Sequence, residues 1–224
     1  MDRYLTIDQV REIDRRAVSE CGMSSLVLME NAARGALDVM LRLGVNGPVA
    51  ICCGWGNNGG DGLALARLLD GLGYDVRVAL WALHSQLTPD ASANLAVLRH
   101  CDVRLELCEP VDLLTRHPQL LAGADWVVDA LFGSGFRGEF RPPYGAVTRQ
   151  LNQAQARRLA IDVPSGLDAN SGHAAEHTVH ADHTVTLVAP KIGFREPAAA
   201  AYLGQVHIAN IGLPRRLVEQ VLRG

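Results

Sequence analysis

A chain of 224 residues, 48% hydrophobic but only 5% aromatic, has the length of one large α/β unit and must build an aliphatic core. Its formal charge of −3 supplies no basic surplus to neutralise a phosphate backbone, which argues against nucleic acid as a partner. No apolar run reaches the ~18 residues that a bilayer crossing needs, and the opening stretch, MDRYLTIDQVREIDRR, lacks an apolar signal core, so a cytoplasmic protein is expected.

Thr6 and Gln9 stand in capping-box spacing, and Ile7, Val10, Ile13, Ala17 and Cys21 recur every three or four residues. This predicts an amphipathic helix ended by Gly22. A second helix follows in SSLVLMENAARGALDVMLRLG, with Leu26, Met29, Ala33, Leu37 and Met40 on one face and a first turn apolar nearly all round, hence deeply packed. From Pro48 onward strands and helices alternate. Strands are expected at 49–53, 75–82, 103–107, 126–130, 159–163, 183–188 and 206–210. Helices are expected at about 60–72, 89–99, 111–121 and 143–155, and in the closing PRRLVEQVLRG. Runs such as AICC, WVVDA and LAIDV are continuous rather than alternating, which fits a mostly parallel sheet covered on both faces. The expected fold is α/β: a Rossmann-like, doubly wound sheet with helices on both faces and two extra N-terminal helices. It is read as one domain over residues 1–224.

The five cysteines, Cys21, Cys52, Cys53, Cys101 and Cys108, are odd in number and form no C-x-x-C. They read as small apolar filler in a reducing compartment, with no activating base indicated for a catalytic thiol.

Three strand ends carry the chemistry. After the first strand, GWGNNGGDGLA places Gly54, Gly56 and Gly59 in a G-x-G-x-x-G pattern. Gly59, Gly60 and Gly62 are expected to let the backbone approach a ligand, with helix-start N–H groups facing an anion. A redox Rossmann site also wants an acid at the end of its second strand to hold a ribose. Here that strand ends in VALWAL, and Asp75 sits at its wrong end, so hydride transfer loses support. Asn57, Asn58 and Asp61 add directional oxygens and donors, although Asn and Asp also serve plain turn chemistry. After another strand, Asp129 precedes Gly133, Gly135 and Gly138; after a third, Asp162 precedes Pro164, Ser165 and Gly166. Ligands of open parallel sheets bind outside the carboxyl ends of strands. Two carboxylates buried at such ends imply a cation, a proton-transfer role, or both.

GWGNNGGDG, DALFGSG, IDVPSGLDANSG, APKIG and LMENAARG together resemble the signatures of the NAD(P)HX epimerase family, also called the YjeF N-terminal domain, from about Leu5 to Pro214. The resemblance implies a Rossmann-like fold, epimerisation of the R and S forms of hydrated NADH and NADPH, one potassium ion per chain and a homodimer. By it, Asn57, Asn58, Gly59, Gly60 and Asp61 contact the dinucleotide, as do Gly133, Ser134, Gly135, Phe136, Arg137, Gly138, Glu139 and Asp162. Asn58, Asp129 and Ser165 would be side-chain ligands of the potassium ion, and their amide, carboxylate and hydroxyl oxygens suit a hard cation. Asp162 is the expected proton-exchanging residue. Trp55 and Asn210 depart from the family pattern, where a smaller residue and an Asp are usual. The kinase-like dehydratase domain of some members does not follow here, so the partner step is expected from a separate dehydratase.

Lys191 has two readings, a charge facing the phosphates or active carboxylates, or a solvated lysine at a strand end. His173, His177, His180 and His183 read as a transition-metal cluster or, more plainly, as a solvated loop. Ser165 is a poor hydrolase nucleophile, because VPSGL is not the G-x-S-x-G elbow. The alternative to an enzyme is a non-catalytic binding scaffold of the same fold; intact Asp162 and NNGGD favour the enzyme.

Overall fold

The computed structural model describes residues 4–82, 84–107 and 113–223. Cys108 and the first two positions of the helix expected at 111–121 lie outside them. The capping box forms as expected: Thr6 Oγ1 accepts from Gln9 N (3.2 Å) and Gln9 Oε1 from Thr6 N (2.9 Å), starting α1 (Ile7–Ser19). Helix α2 (Ser25–Leu43) buries Met29, Ala33, Leu37 and Met40. Its first turn corrects the expectation of deep packing, since Leu26 and Val27 are 40% and 49% exposed.

Seven parallel strands follow: β1 (Val49–Cys53), β2 (Val76–Leu80), β3 (Arg104–Leu107), β4 (Trp126–Ala130), β5 (Arg157–Ile161), β6 (His183–Leu187) and β7 (Gln205–Ala209). Their spatial order is β3-β2-β1-β4-β5-β6-β7. They alternate with α3 (Asn57–Asp70), α4 (Pro89–Leu98), α5 (Leu113–Leu121), α6 (Tyr144–Gln153) and the single turn α7 (Ala200–Leu203); α8 (Arg215–Arg223) closes the chain against α1. Strand β1 shows why both faces must be covered. Val49, Ile51 and Cys53 enter a core built with α2, α3 and α4, whereas Ala50 and Cys52 enter a second core with α5 and α6. The winding reverses between β1 and β4, so the loops after these two strands flank the topological switch point.

Two boundaries move in ways that matter. Strand β5 runs two residues ahead of its expected span, which leaves Asp162 just beyond it in the left-handed region (φ 65°). Helix α3 begins at Asn57 rather than about residue 60, with Gly56 as an extended N-cap (φ −87°, ψ −169°). NNGG is therefore the first turn of a helix, not a loop.

Candidate functional site

The glycines after β1 do something other than expected. A Cβ on Gly54 would stand 2.0 Å from Leu131 O, and one on Gly59 would stand 1.9 Å from Gly54 O. On Gly60 it would meet Met29 Sδ at 2.7 Å, and on Gly62 Cys53 Sγ at 2.8 Å. These positions let α3 lie directly on β1, β4 and α2, so the close approach is of the protein to itself. Of the glycines in the loops after β1 and β4, Gly56, Gly135 and Gly138 face open space, where an added Cβ meets nothing within 4 Å.

The first turn of α3 presents Asn58. Its side chain is 9% exposed, and among the described residues neither its amide nitrogen nor its oxygen has a partner. Across from it lies Gly133, where a Cβ would be 3.3 Å from both Asn58 Oδ1 and Asp162 Oδ2. Asn58, Gly133 and Asp162 thus meet, as the convergence of strand ends requires. Ser134 N donates to Asp162 Oδ2 at 3.1 Å and Leu187 N to Oδ1 at 3.4 Å. Lys191 completes the group. It is 0% exposed, with Nζ 2.6 Å from Asp162 Oδ1 and donating to Thr186 Oγ1, Leu187 O and Ala189 O at 2.9–3.2 Å. The reading of Lys191 as a solvated lysine is thereby corrected: it faces the strand-end carboxylate.

Burial pushes the Asp162 carboxyl up, but the Lys191 ammonium, through its charge and its hydrogen bond, together with the two backbone N–H groups, holds it below the usual carboxylate range. Asp61 goes the other way. Burial raises it well above its ordinary value, and the charges of Asp162 and of Asp14 on α1 add to the rise. One cluster therefore contains two carboxyl groups whose environments push their pKa values in opposite directions, Asp162 down and Asp61 up.

Asp129 forms the neighbouring group. It is 1% exposed, and its oxygens accept from Ser165 Oγ (2.6 Å), Ser165 N (2.7 Å) and Leu131 N (3.2 Å). Burial raises its pKa to about 6 against the pull of these bonds. Phe132 N donates to Ser165 Oγ at 2.9 Å, and Phe132 O lies 3.2 Å from it. Asp129 and Ser165 are thus in direct contact, while Asn58 faces Gly133 and Asp162.

The remaining expected positions divide. Asn57 is exposed on the first turn of α3. Arg137 turns back to Phe136 O (2.7 Å) and Asp168 (3.3 Å), and Glu139 Oε2 accepts from Glu176 N (3.1 Å), so both brace the 133–139 loop against the 168–176 segment. Gly133, Gly135, Phe136, Arg137 and Glu139 line a cavity of about 770 Å³. Asn210, one of the departures, accepts from Gly212 N at 2.9 Å, a local turn bond that an Asp oxygen makes equally well. The histidines scatter: His180 Nδ1 lies 3.2 Å from Ala201 O, and His183 Nδ1 lies 3.2 Å from His207 Nε2.

Cys52 has a base beside it that no local pattern announces. Its Sγ is 3.0 Å from His117 Nε2, and His117 Nδ1 is 2.7 Å from Gln150 Oε1. Cys52 and His117 are 1% and 0% exposed, so this row of groups lies inside the core rather than at a surface.

A parallel sheet with a helix N-terminus, an open glycine corner and paired buried carboxylates gathered at its switch point defines a Rossmann-like α/β enzyme. The family profile described as "YjeF-related protein N-terminus" matches residues 25–193, and the chain belongs to that family. It is 37% identical over 216 residues to the NAD(P)H-hydrate epimerase of Rhodopirellula baltica, spanning 96% of this chain and 87% of that one. It is also 37% identical over 218 residues to the bifunctional NAD(P)H-hydrate repair enzyme Nnr of Moorella thermoacetica, covering 96% of this chain but 41% of the relative. The crystal structure of yeast ynu0 shares the fold, with a TM-score of 0.80 at 24% identity, over 98% of this chain and 93% of that one.

Proposed function

We infer that the protein interconverts the R and S epimers of hydrated NADH and NADPH, a repair step for damaged nicotinamide nucleotides. The relationship to the Rhodopirellula baltica epimerase supports the reaction. The observation that carries the chemistry is the Asp162–Lys191 pair at 2.6 Å, set against Gly133 and the unpartnered Asn58 amide.

The substrate is a reduced nicotinamide with a hydroxyl on the carbon beside the ring nitrogen. The nitrogen lone pair expels that hydroxyl as water once it takes a proton, leaving an iminium, and water adds to the opposite face while losing a proton. Opening and reclosure of the carbon–nitrogen bond is the other route. Either route needs a proton acceptor and a donor near one carbon. Asp162, held ionised, is the acceptor. Lys191 is a positioning residue that fixes its carboxylate. Asp61, whose pKa burial and the Asp162 charge push up, is the candidate proton donor of the cluster.

A potassium ion fits the donor set. Asn58 Oδ1 is a buried oxygen without a partner among the described residues, and Asp129 and Ser165 add a carboxylate and a hydroxyl. Asn58, Asp129 and Ser165 would hold the ion, which supplies fixed positive charge when bound. The homodimer and the separate dehydratase that consumes the product rest on the family resemblance; light scattering of the purified chain tests the first.

Chromatographic separation of the two NADHX epimers, with potassium and with or without the protein, tests the activity. Equilibration well above the spontaneous rate is expected. Asp162→Asn should lower it by about 10²-fold or more, the scale of general acid–base catalysis, measured on variant protein that circular dichroism shows to be folded, because the change leaves the buried Lys191 ammonium without its carboxylate. Equilibration no faster than spontaneous would leave a binding scaffold, and near-full rate in Asp162→Asn would remove Asp162 from the chemistry.

A further inference from the structure

The chain has 3 Trp and 4 Phe, yet Trp55, Trp81, Phe132, Phe136 and Phe140 all line the single cavity of about 770 Å³ described above, together with Tyr144. In a protein whose main core is aliphatic apart from Trp126, this is a local concentration of flat surface. The rings brace one another: Phe132 meets Tyr144 edge-on at 4.7 Å, and Phe136 lies 4.9 Å from Phe140. Trp55 is 45% exposed, while the Tyr144 hydroxyl donates to Trp81 O at 3.1 Å. Trp81 is 2% exposed, and its indole Nε1 has no acceptor among the described residues. A buried donor left unpaired is destabilising unless a ligand completes it.

Flat walls call for a planar ring, and the Trp81 N–H, unpaired among the described residues, calls for one that carries an acceptor nitrogen. Position says which ring. Gly133, where a Cβ would stand 3.3 Å from Asp162 Oδ2, also lines this cavity, so one residue joins the edge of the cavity to the carboxylate group. Trp81 follows β2 and Asp162 follows β5, in the order β2-β1-β4-β5. Three strand spacings amount to about 14 Å. The ring that reacts beside Asp162 therefore does not reach Trp81, but the opposite end of a dinucleotide does.

We propose that the Trp55–Trp81 cleft seats the purine base of the dinucleotide, stacked on Trp55 and accepting a hydrogen bond from the Trp81 indole. The proposal rests on the epimerase reading for its ligand. Where redox Rossmann sites bring a carboxylate to the end of the second strand, this chain brings an indole donor, so the recognised feature shifts from ribose hydroxyl to base.

Calorimetric titration of the full chain with adenosine monophosphate and, separately, nicotinamide mononucleotide tests it. Wild-type protein should bind adenosine monophosphate. Trp55→Ala should weaken that binding about tenfold, the scale of one base stacked on an aromatic ring, and Trp81→Phe, which keeps a ring but removes the donor, by about threefold. Nicotinamide mononucleotide binding should change by less than twofold in both. In turnover of hydrated NADH, the Trp55→Ala loss should fall on KM rather than kcat. Adenosine monophosphate that fails to bind the wild type, or binds Trp55→Ala undiminished, overturns the proposal, as does an equal loss for both mononucleotides. Trp55-dependent binding by a protein that does not epimerise would sink the functional reading and leave the cleft standing.

Discussion

Two buried polar groups in this molecule have opposite character. The row Cys52–His117–Gln150 is neutral and closed: the thiol donates to Nε2, Nδ1–H donates to the amide oxygen, and hydrophobic residues surround it. The group at the strand ends is charged and open. It buries an ammonium and a carboxylate, and it leaves the Asn58 amide without a partner among the described residues. Burial of polar side chains is common to both, so burial alone does not mark a working site. What separates them is unfinished hydrogen bonding, which a core cannot tolerate without a stabilising return and which a ligand can complete.

Removing the lysine should have the largest effect. Lys191→Met strands the Asp162 carboxylate in the interior and should lower unfolding free energy by roughly 3–5 kcal/mol in urea titrations at neutral pH. Adding Asp162→Asn should restore much of that loss; a double variant no more stable than the single one would mean that charge pairing is not what the lysine supplies.

The closed row should respond to pH instead. Burial lowers the His117 pKa from 6.5 to about 4. Between these values the unfolded chain binds a proton that the folded chain refuses, so stability falls as pH drops through this window, by about 3 kcal/mol in total. Above pH 6.5 the term is fully favourable. Unfolding curves collected from pH 7 to 4 should flatten by that amount in His117→Phe, and an unchanged slope would show the imidazole to be protonated inside the fold.

The smallest change should come from Cys52→Ala. It leaves His117 Nε2 without its donor and should cost roughly 1–2 kcal/mol while epimer exchange proceeds at the wild-type rate. A variant that folds but turns over more slowly would tie the core row to the active rim.

How far the sequence announces these features varies with the physics behind each. Strands β1 and β4 are legible to the residue because VAICC and WVVDA are continuous runs buried on both faces. Strand β5 begins earlier than its apolar run, since Arg157 and Arg158 extend it while their guanidiniums reach Asp125 and Asp182. The first turn of α3 is illegible from propensity, because Asn and Gly are weak helix formers. Packing against Gly54, Met29 and Cys53 decides it. The strand-end carboxylates are visible as acids closing apolar runs. Lys191 is not, because its burial depends on Asp162 and Thr186 rather than on its neighbours' pattern. Asp14 has no distinguishing signal on the polar side of α1, and the link from Cys52 to His117 spans 65 positions.

The backbone beside Lys191 has one more attachment. Leu5 N donates to Pro190 O at 2.8 Å and Ile192 N to Leu5 O at 2.9 Å, so the entering chain grips the peptide on either side of the lysine. Leu5 itself is wholly sequestered. The amino-terminal segment, which precedes the part of the chain that the family profile spans, thus works as a clasp on the charged pair. Fusion partners or trimming at that end would reach the Asp162–Lys191 pair through the main chain.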